Sequence, residues 1–99
     1  MLFHPAALDD LDRAAEEIGP DFISTVERVV QRALETPLAG APWPGLPGDL
    51  EVRRRNLPKV KFRSLAYTVI GDILWVVAIV HERRKPGYWT ERLDDLPND

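Results

Sequence analysis

The side chains best equipped for chemistry collect near one end of the second half: His81, Arg83, Arg84, Tyr88, Trp89 and Arg92, with Lys59, Lys61 and Arg63 upstream. Cleavage of RNA by its own 2′-hydroxyl needs a base, a general acid and cations for the phosphorane. Histidine ordinarily titrates nearest neutrality, at about 6.5. His81 is therefore the acid–base candidate, with Arg84, Tyr88 and Lys61 completing a possible nuclease set. Each of these residues also has a plainer role. His81 ends an apolar strand, where it can hydrogen-bond a backbone group. Tyr88 and Trp89 can cap a core, since their rings are amphipathic. The other reading of the same chemistry is a contact surface. Its candidates for binding a target or partner are Arg53, Arg54, Arg83, Arg84, Tyr88, Trp89 and Arg92.

Other chemistries lack their residues. The sequence has no Gly-rich phosphate loop, no metal-ligand cluster and no nucleophile–base pair at a recognised spacing. It has no cysteine, and its two histidines, His4 and His81, are far apart in the chain. No metal and no cofactor are expected.

The chain has 99 residues, the size of one domain, and a chain of this size buries roughly 60–70% of its unfolded surface. The net charge of −3 hides an asymmetry: residues 1–50 carry nine acidic and three basic side chains, and residues 51–92 carry four and ten. A basic second half suggests an anionic partner there. Met1 to Pro5 lacks the basic and apolar regions of a signal peptide, so a cytoplasmic protein is expected. The most apolar run, Ile73 to Val80, is far too short for a transmembrane helix, which takes about 20 residues. It reads as a strand covered on both faces.

These residues need elements to hold them. Met1 to His4 reads as an edge strand or a frayed end. Pro5 suits the first position of a helix, and Leu8, Leu11, Ala15 and Ile18 form its apolar stripe, with Asp9, Asp10, Asp12, Arg13, Glu16 and Glu17 on the other sides. Asp9 and Arg13 are spaced to pair. Gly19 should end this helix in a left-handed cap, reinforced by Pro20. A second helix over 20–36 buries Phe22, Val26, Val29, Val30, Ala33 and Leu34. Residues 37–48, with four prolines and three glycines, read as a stiff connector. In it Trp43 is a loop anchor or, on the other reading, a ligand-stacking ring.

Val52 to Leu57 is a strand that sends Arg53 and Arg55 to one face and Arg54 to the other. Three consecutive arginines cannot all be buried, so one face or edge should be open. Pro58 to Lys61 is a turn. The apolar phase changes near Arg63-Ser64, which predicts a bulge or strand break there. Gly71-Asp72 suits a type II′ hairpin turn leading into the central strand, Ile73 to His81. Tyr88 to Leu93 reads as a helical turn, and 93–99 as a frayed tail. The fold expected is α+β: a single domain over 1–99, with an N-terminal antiparallel helical hairpin on a mainly antiparallel sheet of three to four strands.

Taken in order, these features resemble the RelE/ParE toxin superfamily, in particular its ParE-like plasmid-stabilisation branch. The resemblance rests on Phe3-His4-Pro5-Ala6-Ala7, on Trp43-Pro44 before Val52-Arg53-Arg54, and on Tyr67 to Asp72 turning into the apolar strand. His81, Arg84, Pro86, Tyr88-Trp89 and Arg92 close the set. The first strand is almost missing, and Lys61-Phe62-Arg63-Ser64-Leu65 stands where the family has an aromatic Phe-Pro-Tyr step. The resemblance implies the toxin of a type II toxin–antitoxin pair. Such a toxin is held by a cognate antitoxin in a hetero-oligomer and inhibits a macromolecular target, DNA gyrase for ParE-like members. On that reading the chain is treated as a binding inhibitor, with enzymatic activity left open to the endoribonuclease alternative. The alternatives are a RelE-like, ribosome-dependent mRNA endonuclease and a non-toxic, antitoxin-binding relic.

Overall fold

The computed structural model describes residues 1–46 and 50–97. Residues 47–48 of the expected connector and 98–99 of the expected frayed tail lie outside them. The elements are β1 (Leu2–Phe3), α1 (Pro5–Ile18), α2 (Asp21–Glu35), β2 (Ala41–Pro42), β3 (Val52–Asn56), β4 (Arg63–Ile70) and β5 (Ile73–His81). Short 3-10 helices follow α2 at Pro37–Ala39 and close the chain at Thr90–Asp95. The sheet has five strands in the order β1-β5-β4-β3-β2, parallel only between β1 and β5. Both added strands are two residues long.

Helix α1 starts where its residues say it should. Pro5 is its first residue, and the His4 ring caps it by accepting the Ala6 N–H at 3.0 Å. Its buried face differs from expectation. Ala7, Asp10 and Ala14 are buried with Leu11 packed beside them, while Leu8 and Ile18 are exposed. The stripe is rotated because Asp10, grouped above with the solvent-facing acids, is an interior residue. Arg13 accordingly pairs with the Asp10 carboxylate at 3.5 Å and reaches only the backbone oxygen of Asp9. Gly19 ends the helix at φ +121°, ψ 164°, an extended glycine conformation and not the left-handed cap expected, with its N–H bonded to Ala15 C=O. Helix α2 buries Phe22, Val26, Val29, Val30 and Ala33 as its periodicity predicts, but leaves Leu34 exposed.

The hairpin covers one sheet face through Leu65, Tyr67, Leu74, Val76 and Ile79. The opposite face is also covered. Val52, Ala66, Ile70, Val77, Ala78 and Val80 form a second core with Trp89 and Leu96, flanked by Trp43 and Leu93. Leu96 is buried, so the tail expected to fray from 93 instead packs onto the sheet as far as Leu96.

This two-sided burial requires a change of phase along β5. Leu74 and Val76 face the helices, Val77 and Ala78 both face the second core, and Ile79 faces the helices again. Val77 has no cross-strand partner and is the extra residue of a β-bulge opposite Ala66 and Tyr67. The break expected near Arg63-Ser64 is present, since β4 begins only at Arg63 after Phe62 at φ +62°, and the bulge at Val77 is a second irregularity in the middle of the β4–β5 ladder. There one extra residue lets both layers share one apolar run. At the hairpin, Gly71 has φ +60° while Asp72 keeps a negative φ, as a type II′ turn requires.

The proline-rich connector holds the unforeseen strand β2. Tyr67 donates its hydroxyl to Pro37 C=O at 2.6 Å, and a Cβ added to Gly40 would lie 2.6 Å from that same oxygen and 3.0 Å from Arg54 O. Gly40→Ala is expected to cost about 1–3 kcal/mol by overpacking a site that cannot yield on either side. Urea unfolding measures this, and an unchanged midpoint would show that the corner relaxes freely.

Candidate functional site

Strands β3 and β5 and the segment 84–89 converge on a shallow pocket of about 200 Å³. Arg54, His81, Arg84, Tyr88 and Trp89 all line it, with Trp43 and Lys85. The structure therefore gathers His81, Arg84 and Tyr88, as the sequence suggested. Lys61 is exposed on the preceding turn and does not line this pocket.

Each group is held by its neighbours. Tyr88 accepts the His81 N–H through its hydroxyl at 3.1 Å, and His81 Nδ1 accepts the Arg83 N–H at 3.3 Å. The Arg84 guanidinium lies 3.9 Å from the Tyr88 ring centroid, and Arg83 stands 3.9 Å from that of Phe62. Arg54 sits 5.9 Å from the Trp43 ring. Such stacking holds a guanidinium by ring-face electrostatics while its N–H fork stays available. Phe62 itself has φ +62°, uncommon for a bulky side chain, and its C=O accepts the Glu82 N–H at 2.7 Å.

Some predicted contact residues are internal supports instead. Trp89 is 1% exposed and meets Trp43 edge-on, centroids 5.0 Å apart. It therefore faces the core and not a partner, and Trp43 is an anchor for its loop. Arg92 leaves the surface to form a two-pronged ion pair with Asp10 at 2.6 and 3.1 Å, and also donates to Val77 C=O. Asp10 in turn accepts the Ile79 N–H at 3.2 Å. The pair thus serves the backbone of β5 where β1 no longer reaches it. Arg53 donates to Gly40 C=O at 2.7 Å and pairs with Glu51, and Arg55 donates to Thr36 C=O at 2.7 Å. Of the three consecutive arginines, only Arg54 lies on the pocket side. Arg54 is exposed, as the expectation of an open face or edge requires, although both sheet faces carry a core elsewhere.

Asp10 was missed as a partner of this region, and Trp43 was read as a loop anchor without its partner Trp89. Their contacts join segments far apart in the chain, which no local pattern reports. Among the described residues no cluster of His, Cys, Asp and Glu is arranged to hold a metal ion. No helix is long and apolar enough to cross a membrane.

A helical hairpin followed by a mostly antiparallel five-stranded sheet is the architecture of the RelE/ParE toxins. A family model described as the ParE toxin of the type II toxin–antitoxin system parDE matches residues 1–86, so the chain belongs to that family. The match runs from β1 to Pro86. No curated protein and no solved structure matches the sequence. Membership makes the chain a type II toxin–antitoxin toxin and implies an antitoxin partner.

Proposed function

We propose that this toxin acts by binding, that its target is DNA gyrase, and that a cognate antitoxin neutralises it in the cytoplasm. The observation that carries the reading is how the acid–base candidates are engaged. The Tyr88 hydroxyl accepts the backbone N–H of His81, His81 Nδ1 accepts the backbone N–H of Arg83, and Arg84 is stacked on Tyr88. These contacts build a fixed cation–aromatic surface, suited to recognition more than to proton transfer.

Pulse labelling after induction tests the reading. DNA synthesis should fall within minutes while translation continues, and the purified protein should inhibit gyrase supercoiling. Unchanged supercoiling with the toxin in large excess would remove the gyrase target.

One arrangement favours a second reading, an mRNA endonuclease, because His81, Arg84 and Tyr88 share one pocket. On that reading translation falls first, and Arg84→Ala with Tyr88→Ala abolishes cleavage of ribosome-bound message. A wild-type protein that cuts no message ends it.

A further inference from the structure

We propose that the pocket between β3, β5 and the 84–89 segment is a carboxylate site that receives an acidic side chain of the antitoxin. This rests on the toxin reading above and names the chemistry by which the partner is held.

The pocket is lined by donors. Arg54, Arg84, Lys85 and the His81 ring border it. Among the described residues six arginines have no carboxylate partner, Arg28, Arg32, Arg54, Arg55, Arg83 and Arg84, and of these Arg54 and Arg84 line this pocket. The single acid at the rim, Glu82, accepts the Ser64 hydroxyl at 3.1 Å. Trp89 also lines the pocket, and its indole N–H is buried with no hydrogen-bond partner among the described residues. That N–H is fully buried and Trp89 faces the core, so the donors open to an incoming group are Arg54, Arg84 and Lys85. A carboxylate matches this set, because it only accepts and fits a guanidinium fork with two parallel bonds.

A nucleic acid fits less well. Binding of a single strand relies on free aromatic faces for its bases. Here Arg84 stands over Tyr88, Arg83 over Phe62, and Trp43 is engaged by Trp89 and Arg54. The volume of about 200 Å³ is also below the roughly 300–1,000 Å³ of small-molecule sites. An acidic side chain beside an apolar one suits that space and the Trp43 wall.

The probe is a fluorescently labelled peptide of alternating glutamate and leucine. Its binding to the full chain is followed by anisotropy, beside an oligouridylate of equal charge. Arg54 and Arg84 are exposed, so their substitution spares the fold. Arg54→Ala with Arg84→Ala should weaken the peptide about tenfold or more, the effect of losing charge-assisted bonds. Arg28→Ala, on α2, should change nothing.

No peptide binding by the wild type, or binding indifferent to the two arginines, overturns the proposal. Tighter, arginine-dependent binding of the oligouridylate overturns it in favour of a nucleic-acid site. Growth arrest on induction is scored separately. Its absence counts against the toxin reading, and arrest combined with arginine-independent peptide binding overturns the pocket alone.

Discussion

Asp10→Ala is expected to destabilise the protein by about 3–5 kcal/mol, because it leaves the Arg92 guanidinium buried without its counter-charge. The Asp10 side chain is 5% exposed and that of Arg92 14%, so water offers little replacement. The substitution also strips the Ile79 N–H of its acceptor. Domains of ordinary stability unfold at about 5–15 kcal/mol, so the loss is a large share of the total. Urea unfolding followed by far-ultraviolet dichroism measures it. A shift below about 1 kcal/mol would class the pair with exposed ion pairs and defeat the argument. Replacing both partners, Asp10→Leu with Arg92→Met, should recover much of the loss, since no unpaired charge then remains. It should not recover all of it, because Ile79 N–H and Val77 C=O still lack partners.

The second large effect is expected at Trp89. Trp89→Ala removes the largest fully buried side chain of the second core and should cost about 3–5 kcal/mol. The edge-on contact with Trp43 adds to simple burial, by roughly 0.5–1.5 kcal/mol in comparable pairs. The loss reaches the pocket as well. Tyr88 is the next residue, and its hydroxyl is tied to the β5 backbone through His81 N–H. Near-ultraviolet dichroism should lose the Trp43 signal before the helices melt. If that signal and the unfolding midpoint both survive, Trp89 is not what holds the C-terminal segment to the sheet.

These two residues also show how far the sequence could be read. Helix α2 was legible because Phe22, Val26, Val29, Val30 and Ala33 are apolar at helical spacing and face one core. Helix α1 was legible in extent but not in orientation. A polarity pattern places an aspartate outside, and the partners that hold Asp10 inside, Arg92 and the Ile79 N–H, lie far along the chain. The β4–β5 hairpin followed from Gly71-Asp72. The bulge at Val77 did not, because a continuous apolar run has no alternation to interrupt. Strand β2 sits among prolines and glycines, which local propensity assigns to loops.

Of the site, Arg54, His81, Arg84 and Tyr88 were nameable from residue type, and the pocket brings them together. Trp89 and Arg92 have the same residue types but are turned to internal partners. Residue type alone does not separate a guanidinium stacked on a ring from one locked to a carboxylate.

The Asp10–Arg92 pair also has a consequence in time. Its partners are 82 residues apart, and synthesis runs at about 5–20 residues per second. For roughly 4–16 s of each round of translation, the first helix therefore exists without the arginine that neutralises its buried acid. The sheet, likewise, lacks the layer that Trp89 and Leu96 supply. The nascent toxin completes its fold only as the last segment emerges, so a message cut short before Arg84 yields a chain with neither the closed second core nor the pocket wall.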